Sequence, residues 1–326
     1  MTDFTRQTDG MARAGADFFE QPVPRRYVHR ASVAEVLLTK FTQDAEDSFL
    51  IGAQWPRGHS FYRTKDGLQD PMLLAETVRQ AGLAIGHLGY DVPLDHSFIM
   101  QDLSFHISTE GLASGWRPSD LLLTVSCHDI KRRGKKVVGL EYTASVFSDL
   151  GLIGGGSSRF ICASPGAYKR LRERVTGSRP GETYLPEHTA APELVGRDIT
   201  PDVTLSAAVG DNTWELRCNP AHPILFDHPV DHVPGMVLLE AARQAVHHLH
   251  YPEPVTVVQL SADFDQYVEL DAPTQVRAFA EAPLADGTLP VHVTLTQHGV
   301  RVADARLHAV RNTDVDAAGL TTAHVA

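Results

Sequence analysis

Two stretches of the chain are apolar on almost every side yet carry the same three polar residues at the same spacing. Residues 72–81 read MLLAETVRQA and residues 236–245 read MVLLEAARQA. On a helix, positions i, i+3, i+4 and i+7 share a face. In the second stretch that face is Glu240, Arg243, Gln244 and His247; in the first it is Glu76, Arg79 and Gln80, then Leu83 and His87. The other faces are Leu, Val, Ala and Met. The pattern predicts two central helices, each with one narrow polar stripe.

Elsewhere the period is two. VTVVQLSADFD, TQVRAFAEA, LPVHVTLTQHG and VRVADARLHAV in the C-terminal half alternate as antiparallel strands do, with ADGT and QHG as turns. DLLLTVSCHDI, KKVVGLEYTASVFS and SSRFICAS play the same parts in the N-terminal half, with RRG as a hairpin turn. VHRASVAEVLL at 28–38 lies over VGRDITPDVTL at 195–205, and HLGY at 87–90 over HLHY at 248–251. The spacing between partners is nearly constant, the signature of an internal repeat. The expected organisation is one repeat at 25–162, a Pro- and Gly-containing linker at 163–192 with a short helix near Tyr168–Val175, and a second repeat at 193–312. The first 24 residues and the C-terminal end read as tails. One helix on one antiparallel sheet, twice, is an α+β architecture.

Composition narrows the function classes. The chain has 326 residues, of which 43% are hydrophobic and 21% charged, with a net charge of −11. An acidic chain without a long basic run argues against nucleic acid and against an anionic membrane surface as partners. No apolar run approaches a membrane span, and the opening MTDFTRQTDGMARAG lacks an apolar signal-peptide core, so a cytoplasmic location is expected. Cys127, Cys162 and Cys218 lie far apart, with no metal-ligand spacing, and are expected to be free thiols. No metal or cofactor site is predicted. Lys131–Lys136 is the densest basic cluster and fits either a solvated hairpin tip or a dock for an acidic protein.

The polar stripes carry the candidate chemistry. A Glu–Arg pair on a surface helix contributes only a few tenths of a kcal/mol. Buried, the same pair becomes expensive to break, about 3–5 kcal/mol on losing one partner. Its use is then either a site or a structural polar network. Ahead of the helices lie WPRGHSFYRTKDGLQDPM at 55–72 and HPILFDHPVDHVPGM at 222–236. His59 aligns with His222, whereas His228 has no histidine opposite it. Pro71 and Pro234 suit helix starts, whose unpaired N–H groups can polarise a carbonyl or hold a phosphate. The histidines and aspartates of these loops can also serve as turn and cap residues.

A histidine-rich turn, then PG, then a helix bearing Glu, resembles the hotdog fold of the beta-hydroxyacyl-ACP dehydratases. There Glu240 falls on the catalytic glutamate and His228 is nearest the histidine. FDHPVDHVPGMVLLEAARQ, WPRGHSFY and MLLAETVRQAG resemble more closely the A-factor biosynthesis family, which makes butyrolactone and furan autoregulators of antibiotic production. That resemblance covers almost the whole chain. It implies a tandem hotdog and an acyltransferase joining a beta-ketoacyl group, carried on acyl carrier protein, to the hydroxyl of dihydroxyacetone phosphate. On this reading Glu240 is the base, its pKa raised by burial; Arg243 takes the phosphate; and the turn before Met236 polarises the carbonyl. Alternatively, Arg243 keeps Glu240 ionised and orients it. Glu76 and Arg79 form a second site or a facing wall. Gln244, Gln80, His228, His222 and His59 are the expected substrate contacts. A dehydratase or thioesterase, or a non-catalytic ligand-binding double hotdog, are the alternatives, and a homodimer stays open.

Overall fold

The computed structural model describes residues 10–15, 17–175 and 183–313. The chain divides into two compact units, Met1–Gly177 and Ser178–Ala326. Residues 176–182 of the expected linker and the ends 1–9 and 314–326 lie outside the described residues.

Unit 1 contains β1 (Leu38–Ala45), β2 (Ser48–Trp55), α1 (Met72–Ala84), β3 (Ser97–Ile107), β4 (Ser119–Arg133), β5 (Lys136–Ser148), β6 (Gly151–Ala163) and α2 (Pro165–Val175). Its strands run in the order β1-β2-β4-β5-β6-β3, and every neighbouring pair is antiparallel. The apolar run predicts α1, and the structure buries every residue of it except Arg79. Pro71 precedes the helix, and the Asp70 carboxylate accepts the Met72 N–H at 2.9 Å, capping its start. A π-helical turn, Ile85–Gly89, extends it. The helix lies on the sheet, with the Tyr142 hydroxyl of β5 donating to Val78 O at 2.6 Å and Trp55 Nε1 of β2 donating to Thr77 at 2.9 Å.

Two parts of unit 1 depart from the pattern. β3 has no clean alternation and was not among the expected strands; most of its positions are half-buried. The GLIGGGSS stretch, whose glycines suit either a flexible turn or a close backbone approach, is the start of β6 and takes the second form: a Cβ at Gly154 would collide with His106 O of β3. The glycines allow that close backbone passage. The N-terminal stretch read as a tail is also anchored: Phe18 packs with Leu50, Leu122 and Phe147, and Met11, Ala14 and Phe19 cover them. Its two adjacent phenylalanines are the apolar surface that drives this.

Unit 2 contains β7 (Thr213–Glu215), α3 (Gly235–His250), β8 (Val255–Phe264), β9 (Thr274–Ala280), β10 (Leu289–Gln297) and β11 (Val300–Arg311), in the antiparallel order β8-β11-β10-β9-β7. The three expected hairpin turns carry glycines at positive φ: Gly134 (64°), Gly287 (85°) and Gly299 (76°). The first two strands of unit 1 shrink here to β7 and isolated bridges such as Leu205–Leu216. α3 is buried continuously from Met236 to Val246, including Glu240, Arg243 and Gln244 of its stripe, and His247 is half-buried. Cys162 and Cys218 are buried free thiols and Cys127 is half-buried. The basic cluster forms the exposed tip of the β4–β5 hairpin.

Candidate functional site

Each unit builds the same network around its buried glutamate. In unit 1, Glu76 accepts from Arg30 Nε at 3.0 Å, from Arg79 Nε at 2.9 Å and Nη2 at 2.7 Å, and from Gln80 Nε2 at 2.6 Å. In unit 2, Glu240 accepts from Arg197 Nε at 2.8 Å, from Arg243 Nε at 2.9 Å and Nη2 at 2.8 Å, and from Gln244 Nε2 at 2.6 Å. Both glutamates are 1% exposed. The second arginine of each set comes from a turn ahead of the first strand. A 3-10 helix, Arg25–Val28 or Pro192–Val195, ends in a left-handed residue, His29 (φ 49°) or Gly196 (φ 69°), and Arg30 or Arg197 follows. A Cβ at Gly196 would stand 2.8 Å from the His247 ring, so unit 2 needs glycine there on two counts.

The glutamine ties the helix to this turn. Gln80 accepts from Leu37 N–H at 2.9 Å and donates to Glu35 O at 2.7 Å; Gln244 accepts from Thr204 N–H at 2.8 Å and donates to Asp202 O at 2.8 Å. With Gln244 replaced by Leu, two buried backbone groups lose their partner at about 1–3 kcal/mol each. A urea titration is expected to show a lower midpoint with an unchanged slope; a wild-type midpoint would mean the amide holds nothing in place.

His59 and His222 close the pattern. His59 Nδ1 accepts from Phe61 N–H (3.1 Å) and Tyr62 N–H (3.0 Å), and its Nε2 lies 3.3 Å from Glu35. His222 Nδ1 accepts from Ile224 N–H (3.2 Å) and Leu225 N–H (3.0 Å), and its Nε2 lies 3.3 Å from Asp202. An Nδ1 that accepts leaves the proton on Nε2, facing the carboxylate. These histidines, expected to contact substrate, hold the loop before each helix.

Two expectations are corrected. The first is a raised pKa for Glu240. Burial alone would raise both carboxyls, but the charges of Arg197 and Arg243 outweigh it and hold Glu240 at about 2. Arg30 and Arg79 do the same to Glu76, also at about 2. Each glutamate is thereby held as an anion on the fixed edge of its i+3 arginine. The second is Arg243 as the phosphate ligand. Its Nε and Nη2 lie on Glu240, its Nη1 lies 2.8 Å from His247, and its side chain is 5% exposed. His228 lies exposed beside Asp227 at 3.5 Å, and the bonds to Glu240 come from Arg197, Arg243 and Gln244.

Arg30, Arg197, Glu35 and Asp202 were missed as members of the network. The signal was present, because Arg30 stands opposite Arg197 and Glu35 opposite Asp202 in the aligned segments at 28–38 and 195–205.

A family model described as the A-factor biosynthesis hotdog domain matches this chain at residues 11–164 and again at 184–311. The 2-oxo-3-(phosphooxy)propyl 3-oxoalkanoate synthase of Streptomyces virginiae is 44% identical over 276 residues, covering 83% of this chain and 92% of that protein. Proteins of the same name from Streptomyces coelicolor and Streptomyces griseus are each 35% identical, over 85% and 89% of this chain and 88% and 96% of their own lengths. The two matched segments are the two units built around the paired arginine–glutamate networks, and the chain, a double hotdog, belongs to the A-factor biosynthesis family.

Proposed function

We propose that this protein is an acyltransferase that moves a beta-ketoacyl group from acyl carrier protein to dihydroxyacetone phosphate, supplying a precursor of butyrolactone or furan signals. The observation that carries the reading is the 44% identity, over 83% of the chain, to a protein whose name describes the phosphorylated keto ester such a transfer makes. The hydroxyl oxygen bonds to the thioester carbonyl carbon, the carbon–sulfur bond breaks, and the hydroxyl proton ends on the departing thiol. A thiolate, with an ordinary pKa of about 8.5, is a sufficient final acceptor.

The geometry suits positioning and electrostatic stabilisation better than proton abstraction by glutamate. The glutamates are anchors that fix the guanidinium groups. Of the two arginines first nominated, Arg79 is the one open to a phosphate. Its Nε and Nη2 lie on Glu76, its side chain is 20% exposed, and its Nη1 makes no hydrogen bond among the described residues. An arginine already held on one edge presents a fixed donor with little further ordering. Arg79→Ala is expected to raise KM for dihydroxyacetone phosphate about tenfold or more, with a smaller change for the acyl donor. Equal effects on both substrates would remove Arg79 from the phosphate.

The direct test is mass spectrometry of the products from a beta-ketoacyl thioester with and without dihydroxyacetone phosphate. A phosphorylated ester or butenolide formed only with both substrates is the expected result. Free acid or a dehydrated chain formed without the phosphate would replace this reading by a thioesterase or a dehydratase.

A further inference from the structure

The two units share their ion networks but differ at the positions beside them. His59 receives the Tyr62 N–H where His222 receives the Leu225 N–H, so Tyr62 and Leu225 are counterparts. The Gln69 backbone N–H donates to Leu112 O (2.7 Å) and the Val233 backbone N–H to Val268 O (2.9 Å), each three residues before its helical methionine, so Gln69 matches Val233. Arg79 stands beside Leu83, where Arg243 is closed off by His247. At all three places unit 1 has an available polar group where unit 2 has an apolar or occupied one.

Two of these groups make no side-chain hydrogen bond among the described residues, and the Gln69 amide is buried as well. Gln69 is 2% exposed, and neither its Nε2 nor its Oε1 has a partner. The Tyr62 hydroxyl, on a residue 3% exposed, makes no hydrogen bond among the described residues. The charges of Glu76, Arg30, Asp70 and Arg79 all act on its phenol, so it belongs to the surroundings of the unit 1 network. A buried amide with both ends unmet destabilises the fold unless something meets it in the working state. The counterpart valine shows that the position itself requires no amide.

Resting on the acyltransferase reading, we propose that unit 1 holds the substrate and that the Gln69 amide and the Tyr62 hydroxyl bind the oxygens of a beta-ketoacyl thioester. The chemistry matches. A beta-ketoacyl thioester offers two carbonyl acceptors, and the Gln69 NH2 and Tyr62 O–H are two donors without a partner among the described residues. The Gln69 carbonyl oxygen is left to accept a hydrogen bond from the attacking alcohol's O–H and aim its oxygen. Unit 2 keeps the same scaffold and opens α3 beside Val233, which brings no polar side chain.

The test uses the full chain, its Gln69→Val and Tyr62→Phe variants, and a beta-ketoacyl pantetheine with an amide NH in place of the thioester sulfur. Thermal melting with and without this probe, and turnover with the true thioester, are measured. Gln69→Val is expected to melt at or above the wild-type temperature, to lose the probe's stabilisation, and to fall about tenfold or more in kcat/KM. Tyr62→Phe is expected to keep the fold and to weaken probe binding. The proposal is overturned if Gln69→Val keeps both probe binding and turnover, if it melts well below the wild type, or if the probe leaves the wild type unshifted. Probe binding requires no transfer, so the two readings separate. Probe stabilisation lost in Gln69→Val, with no phosphate-dependent product from the wild type, supports the site and removes the acyltransferase. Unchanged turnover in Gln69→Val removes the site and leaves the reaction.

Discussion

Glu240→Gln lowers the stability of unit 2 by about 3–5 kcal/mol, the expected penalty for leaving two buried guanidinium groups without their counter-charge. Glu240 stands between Arg197 and Arg243, whose side chains are 4% and 5% exposed. Water cannot replace the lost charge, and the glutamine amide adds N–H donors where donors already converge. The melting transition is expected to fall on the order of 10 °C. The triple change Arg197→Met, Glu240→Leu, Arg243→Met removes the charges together and is expected to recover much of the loss, because an apolar replacement of a whole buried set is often neutral or stabilising. Chemical denaturation of the single and triple variants checks both. A single variant as stable as wild type would show that the charges are solvated. A triple variant worse than the single would show that the network contributes more than its own desolvation.

Acid is expected to unfold the protein through the same two carboxylates. Glu76 and Glu240 are lowered from 4.5 to about 2. A carboxyl with a depressed folded-state pKa contributes stability that is fully present above its unfolded value and is lost as pH falls through the folded value. The loss therefore begins near pH 4.5 and continues towards pH 2, at roughly 3 kcal/mol for each carboxylate. Above pH 5 both remain ionised, so neither produces a limb in the pH–rate profile near neutrality. Denaturation midpoints from pH 7 down to pH 3 check the first part, and kcat/KM between pH 5 and 8 the second. A rate profile with an acid limb near pH 6 that vanishes in Glu76→Gln would restore glutamate as a base.

The repeat, the two central helices and their polar stripes were legible from periodicity, because apolar residues on nearly every face of a helix can only be buried. The C-terminal strands were legible for the same reason: LPVHVTLTQ alternates in sequence and its alternate residues are buried in β10. β3 was not, since most of its residues are half-buried and its sequence shows no two-residue period. The Gly-rich start of β6 fits either a turn or a close backbone approach, because glycine signals backbone freedom, and only the neighbouring strands show that the freedom serves close approach.

The site divides in the same way. The sequence by itself determined that Glu76, Arg79 and Gln80 share one helix face with the spacing of Glu240, Arg243 and Gln244, since helical geometry sets which side chains are neighbours. Only the tertiary structure decided what those neighbours do. A turn from ahead of the first strand brings a second arginine, Arg30 or Arg197, onto each glutamate, and the two arginines together outweigh the upward push of burial on its pKa. It also seals Arg243 against His247 while leaving an edge of Arg79 open. The direction of a pKa shift depends on the sum of burial and nearby charge, and groups far apart in the chain enter that sum only once the fold brings them together.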